Sequence, residues 1–351
     1  MKKKIIIACV CAVVVLVAGV FGGIKIKQYL PYYFDKTGKH QQDIEYVLTI
    51  EKSDFENEVA VRLENEGIII SAVRFLGYLH KNYPDFVWYN GIYTVNAQMS
   101  YEQLCQKLQS PDYRIEYVKF TVPEGKSVEQ ISQIVEKSGL CTAQEFLEAA
   151  DSYDYNYSFM SELKARDQSK IGYKLEGFLF PATYEFRSDT VTPRDIVDRM
   201  LSAFQGYVTE DIVTKAADMG LSLNQLISFA SVIQAEALSD ESMTKVSSVF
   251  WNRLNSQSLT RLQSDPTTSY ARSLRDLPGY TQEMFDAYDT YTCIGLPIGP
   301  IDCPGMEMIN AVLNPDDTDY YYFVTDSQGN FYYNKTYAEH VATCYEIGLW
   351  K

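Results

Sequence analysis

Between Lys4 and Lys25 lies a run of 20 residues, Ile5–Ile24, without a charged side chain. As an α-helix it would be ~30 Å long, the thickness of a bilayer's hydrocarbon core. Inside lipid a lone segment can satisfy its backbone polar groups only as a helix. A secretory signal has a shorter apolar core, roughly 7–15 residues, followed by a small-x-small cleavage site. This run is longer, and no such site follows it. Cys9 and Cys11 lie inside the run without the small-residue pattern of a lipoprotein signal. The segment therefore predicts an uncleaved transmembrane anchor. Lys2, Lys3 and Lys4 before it outnumber Lys25 and Lys27 after it, which orients the N-terminus to the cytoplasm and the rest of the chain outside.

That remainder is acidic. The 351 residues carry a net charge of −15. Removing the five lysines of residues 1–27 leaves −20 for the rest. A body so acidic, with no basic stripe, zinc-finger spacing or P-loop, is not built to bind a phosphate backbone, so no nucleic-acid partner is expected. At 46% hydrophobic and 22% charged, the chain has the material for a sizeable core and exceeds one ordinary domain. Five cysteines lie beyond the anchor: Cys105, Cys141, Cys293, Cys303 and Cys344. Their spacing matches no zinc site. Cys293 and Cys303 flank one Gly/Pro-rich loop and are read either as a pair or as two free thiols.

Residues 28–44 read as a juxtamembrane linker. A pattern then occurs twice at an offset of 72 residues: Thr49–Ile68 and Thr121–Leu140. Thr49 meets Thr121, Val59 meets Ile131, Leu63 meets Val135, Glu64 meets Glu136 and Gly67 meets Gly139. Each copy reads as a strand, a turn, a helix ended by Gly, and a second short helix. Ser100-x-x-Gln103, Ser127-x-x-Gln130 and Thr142-x-x-Glu145 have capping-box spacing, and Gly139 suits a left-handed C-cap. Residues 45–150 are thus small α+β modules. Residues 151–174 are a polar, Tyr-rich connector, and 175–351 form a larger α+β domain. His40 and His80 have no Ser, Cys or carboxylate arrangement beside them that reads as a site.

The larger domain holds the chemistry. Ser222-x-x-Gln225 caps a helix from about Leu223 to Leu238, and a second helix follows from about Glu241 to Leu254. On the first, Glu236 shares a face with Phe229 and Ile233. A carboxyl held against apolar groups keeps its proton to higher pH, as a general acid must. Gln234, two residues back, points elsewhere and cannot donate a proton as an acid does. A Ser or Cys hydrolase needs a histidine base, and His340 is the single histidine of this domain. One His also leaves too few ligands for hydrolytic zinc. Carboxylate chemistry remains, and glycosidic cleavage is the main class that runs on it. The loops Arg261–Ala271 and Tyr288–Gly305, rich in Gly, Pro, Ser, Thr and Asp, are long for a compact domain and suited to hydrogen-bonding sugar hydroxyls. DTDYYYFVTDSQGNFYYNKT alternates as two strands around a turn.

The stretches LEGFLFPATYEF, ISFASVIQAEA, KVSSVFWNRL, LQSDPTTSYA, YDTYTCIGLPIGPIDCPG, AVLNP, DYYYFV and KTYAEH follow one another between Leu175 and His340. In content and order they resemble the endolytic murein transglycosylase family, the YceG-like proteins. The anchor and a LysM-like module ahead of the catalytic domain match that family's layout. The resemblance implies a membrane-anchored lytic transglycosylase. It would cut the β-1,4 bond between N-acetylmuramic acid and N-acetylglucosamine inside nascent glycan strands and leave 1,6-anhydro ends, terminating strand elongation. It implies no cofactor and no metal. Its partners would be peptidoglycan strands and cell-wall synthesis proteins of the membrane. The family's acidic helix motif falls on Ala230–Glu236, where its first acidic position is Gln234 and its second is Glu236. If the first were the family's acid, this chain would be inactive. The facing of the helix favours Glu236. Gln263, Ser264 and Asp265 are assigned to sugar binding, with Glu176, Tyr184 and Asn314 behind them. Val341 stands where the family has an asparagine after its histidine, which weakens a role for His340. The alternative is an inactive, membrane-anchored scaffold that binds glycan.

Overall fold

The computed structural model describes residues 31–33, 35–38, 43–236 and 240–350. The apolar run Ile5–Ile24 lies outside them, and among the described residues no helix is long and apolar enough to cross a membrane. The chain is mixed helix and sheet, α+β, with three two-stranded sheets among the described residues. It divides into two compact units. One runs to Tyr117 and takes back Arg187–Asp189; the other comprises Val118–Phe186 and continues from Thr190.

The first unit contains β1 (Glu45–Ile50), α1 (Glu56–Asn65), α2 (Ala72–Asn82), β2 (Gly91–Asn96) and α3 (Tyr101–Leu108). β1 and β2 are antiparallel, with Leu48 opposite Tyr93 and Tyr46 opposite Val95. The period of two turns one face inward, so Leu48, Ile50, Tyr93 and Val95 are buried with Leu63, Phe75 and Leu104 of the helices. The Ser100 hydroxyl accepts from Gln103 N and the Gln103 amide accepts from Ser100 N, closing the box that starts α3.

The second unit begins as β3 (Tyr117–Thr121) leaves the first. α4 (Val128–Ser138), α5 (Ala143–Ala150), α6 (Met160–Ala165), β4 (Thr183–Arg187), α7 (Pro193–Tyr207) and α8 (Glu210–Asp218) follow. Next come α9 (Leu223–Glu236), α10 (Asp240–Leu254), α11 (Asp265–Ser273), α12 (Gln282–Tyr288), α13 (Met306–Leu313), β5 (Tyr322–Thr325), β6 (Phe331–Asn334) and α14 (Tyr337–Glu346). The boxes at Ser127 and Thr142 form, and Gly139 caps α4 at φ 80°. The boundary between units falls between the two copies of the repeat. The reason is burial: Val122, Ile131 and Val135 of the second copy, with Phe120 before it and Phe146 after it, enter the same core as α9. Among the described cysteines Cys293 and Cys303 are both free, the second of the two readings. Cys303 is buried, with its backbone N–H bonded to Lys126 O and its carbonyl to Gly125 N.

α9 is the axis of this unit. Leu223, Leu226, Ile227, Phe229, Ala230, Val232 and Ile233 are buried, and the helix packs on α11, α13 and α10. A helix apolar on nearly every side belongs in a core. Its buried hydroxyls are satisfied locally: Ser228 donates to Asn224 O, and Ser231 donates to Ser228 O while accepting from Ile301 N. Phe229 meets Phe250 and Trp251 of α10 edge-on, with centroids 6.3 and 5.4 Å away. Phe229→Ala should therefore destabilise the protein by about 3–5 kcal/mol, read as a lower urea midpoint in equilibrium unfolding.

Candidate active site

Glu236 is the last residue of α9. The helix that carries it is rigid because it is buried, so the carboxyl has a fixed root. Burial is the largest influence on this carboxyl and pushes its pKa up, nearby Asp265 pushes in the same direction, and a hydrogen bond from Ser264 pulls it down. The C-terminal end of a helix adds to the upward push, because its partial negative charge disfavours a carboxylate.

The Ser264 hydroxyl donates to Glu236 Oε1 at 2.7 Å. Ser264 is the N-cap of α11, yet its side chain makes no capping bond. An N-cap serine ordinarily gives its oxygen to the first turn of its own helix. Here the hydroxyl is turned across to another element. Its backbone is held by a second loop: Ser264 N donates to Thr290 Oγ1 at 2.9 Å and Gln263 N to Thr290 O at 3.2 Å. Thr267 ties the same corner, with its hydroxyl on Ser264 O and 2.8 Å from Thr290 Oγ1. Tyr291 donates to Asp265 Oδ1 at 2.8 Å. Asp265 and Tyr291 line an open groove of ≈ 560 Å³ together with Thr268, Arg272 and Phe285. Tyr291 is 47% exposed and presents a ring to that groove. Gln263 is exposed, and its side-chain oxygen accepts from Arg253 at 2.9 Å, which leaves its NH₂ group unclaimed by that bond.

The structure thus brings Glu236, Gln263, Ser264 and Asp265 together. It places the other three expected residues elsewhere. Glu176 is fully buried: its Oε1 accepts from Val128 N and its Oε2 from the Tyr270 hydroxyl, each at 2.9 Å. It fastens the start of α4 to α11 and has no surface to offer a sugar. The next residue, Gly177, has φ 83°, and a Cβ there would lie 2.4 Å from Pro300, so only glycine suits the position. Tyr184 is 4% exposed and donates to Phe180 O, with its ring against Phe120. Asn314 is exposed at the end of α13, where it accepts from Lys215 Nζ at 2.6 Å. Gln234 faces away from Glu236 and accepts from Gly305 N at 3.0 Å. His340 stacks on Tyr322, 5.4 Å between centroids, and burial lowers its pKa. Sequence reasoning passed over Arg253, Thr267, Thr290 and Tyr291. All four lie in the stretches KVSSVFWNRL, LQSDPTTSYA and YDTYT, but nothing in these says which side chains meet near Ser264. Among the described residues no three His, Cys, Asp or Glu side chains gather as metal ligands.

The model of the YceG-like family matches residues 48–346, nearly the whole described chain. The chain belongs to the YceG-like family. Its relatives include an endolytic murein transglycosylase of Bacillus subtilis, 32% identical over 261 residues, which cover 71% of this chain and 70% of that one. Another, from Streptococcus pneumoniae, is 30% identical over 308 residues, covering 81% of this chain and 55% of the relative. The chain thus spans about half the length of the pneumococcal protein. A crystal structure of a yceG-like protein from Listeria monocytogenes superposes with a TM-score of 0.53 at 26% identity, covering 86% of this chain and 100% of that one.

Burial pushes the Glu176 carboxyl up to about 8, from an ordinary value of 4.5. Between those values the folded protein holds a proton that the unfolded chain has released, so stability falls as pH rises. Glu176→Gln, which stays neutral, should flatten that decline. Thermal melts from pH 5 to pH 8 check this: the wild-type Tm drops more steeply than the variant's.

Proposed function

We propose that Glu236 is the acid of a lytic transglycosylase that cleaves peptidoglycan glycan strands internally. The observation that carries this reading is the Ser264–Glu236 pair: a carboxyl raised in pKa by burial, with a hydroxyl locked onto it from the residue before Asp265, which lines an open groove. The name of the Bacillus and Streptococcus relatives, endolytic murein transglycosylase, supports the substrate.

The chemistry needs one carboxyl. Protonated Glu236 gives its proton to the glycosidic oxygen as the C1–O bond of the muramyl residue breaks. Positive charge builds at C1 as an oxocarbenium-like centre. The muramyl C6 hydroxyl oxygen then bonds to C1, and its proton passes to the Glu236 carboxylate. The ring closes as a 1,6-anhydro end, the acid is restored, and no water is consumed. Ordinary glycosidases need a second carboxylate for their water or their covalent intermediate. The raised pKa keeps Glu236 protonated to higher pH at the start, and Ser264 steadies the carboxylate formed midway. Asp265, bonded to Tyr291 in the groove, and the exposed amide of Gln263 bind sugar hydroxyls and acetamido groups. Glu176 and Tyr184 act from behind, as framework for α11 and β4, and Asn314 lies at the far end of α13.

The apolar run Ile5–Ile24 anchors the chain in the cell membrane, with the catalytic unit outside the cytoplasm, among the cell-wall synthesis proteins whose strands it shortens. The repeated α+β pattern within residues 45–150 is LysM-like.

Glu236→Gln should lower turnover of un-crosslinked glycan strands by about 10²–10⁴-fold, the usual worth of a positioned acid. Ser264→Ala removes a bond to the charged form, so it raises the acid's pKa further. The falling, alkaline limb of the kcat profile should move to higher pH by about one unit, what a hydrogen bond to a charged group of ~1.5 kcal/mol is worth. An unmoved limb, or cleavage surviving in Glu236→Gln, argues against this assignment.

A further inference from the structure

Arg253, on α10, is 5% exposed, and among the described residues no acid lies within salt-bridge distance of it. A buried cation without a counter-ion is expensive, and it is found where the fold uses its donors. Arg253 Nε donates to Tyr321 O at 2.7 Å. Its Nη1 faces three acceptors from three successive residues: Arg261 O at 3.0 Å, Leu262 O at 3.1 Å and Gln263 Oε1 at 2.9 Å. The Tyr322 ring covers the guanidinium, 4.9 Å from centroid to carbon. The side chain therefore grips the run that ends one residue before Ser264.

Gln263 is the one described non-glycine residue with positive φ, at 54°. A side chain in that region is strained and persists only where its surroundings hold it. Glycine would take the same backbone freely, but it has no amide oxygen for Arg253 to hold. The choice of glutamine at a strained position is explained by that anchor. On the opposite side of the loop, Thr290 takes the N–H groups of Gln263 and Ser264. Two anchors on two elements thus fix the backbone from which the Ser264 hydroxyl reaches Glu236.

We infer that Arg253 is a positioning residue for catalysis: it locks Gln263 in its left-handed conformation so that Ser264 is aimed at Glu236. It bonds neither Glu236 nor the groove residue Asp265. The groups that face the acid are Ser264 and Asp265 from α11, with Tyr291 beyond Asp265; Gln234 of its own helix is turned to Gly305. This inference rests on Glu236 being the acid.

Arg253→Lys tests it, because lysine keeps the charge and loses the planar fork. On the full chain with un-crosslinked glycan strands, kcat should fall on the order of 10–100-fold with KM within about twofold. The alkaline limb should move to higher pH, in the same direction as in Ser264→Ala. The double variant Arg253→Lys/Ser264→Ala should be no slower than Ser264→Ala alone, since both remove one aimed hydroxyl. Effects that multiply in the double variant, or a limb left at the wild-type position, would overturn the inference. If Arg253→Lys gives no cooperative melt, Gln263→Gly takes its place. It removes the anchor and the strain together, so its Tm should match or exceed wild type while kcat falls and the limb shifts. Wild-type kcat in Gln263→Gly also overturns the clamp. Glu236→Gln, run alongside, separates the two claims: cleavage that survives there sinks the acid assignment itself.

Discussion

The hydrogen bond from Ser264 to Glu236 joins two parts of the chain that fold for different reasons. Glu236 is where it is because α9 is apolar on nearly all sides and must be buried. Ser264 is where it is because two loops are pinned together through Thr290, Thr267 and Arg253. Neither side chain would meet the other by local preference. The carboxyl sits under opposing pressures: burial, Asp265 and a helix C-terminus favour its proton, while one hydroxyl favours its charge. A group balanced in this way can give a proton and take one back, which a single-carboxyl ring closure demands.

The framework behind that bond is set by buried polar groups with named partners. Glu176 joins α4 to α11 and so fixes the helix that Ser264 opens. Ser231 holds Ile301 N, and Asn224 holds Ile298 O, tying α9 to the Gly/Pro-rich segment that packs along it. Each of these groups costs stability if left unpaired in an apolar setting, so each fixes geometry more strictly than apolar packing alone.

What the sequence revealed follows from range. The capping boxes at Ser100, Ser127 and Thr142 are contacts between residues three apart, and they form where the spacing puts them. The α9 and α10 helices and the β5–β6 hairpin are likewise written in local periodicity and a Ser-Gln-Gly-Asn turn. Grouping Gln263, Ser264 and Asp265 with Glu236 came from a family resemblance, and their proximity is a matter of tertiary structure. Arg253 was not legible, because three of its four acceptors are backbone carbonyls, which every residue has. Glu176 and Tyr184 stood in a quoted motif, and the motif does not say that both are buried. The division between compact units is likewise a matter of tertiary packing. Two copies of one pattern look alike in sequence, but the first packs into the core of its own unit and the second into the core that holds α9.

The central claim is that one carboxyl closes a sugar ring without water. Mass analysis of the ends released from defined, un-crosslinked strands by the full chain tests it most directly. Ring closure predicts reducing-side muramyl ends about 18 Da lighter than hydrolytic ends, one water fewer, and none carrying ¹⁸O when the digest is run in labelled water. Ends of full hydrolytic mass that carry the label would contradict the account and point to Asp265 as the partner of a water-activating pair.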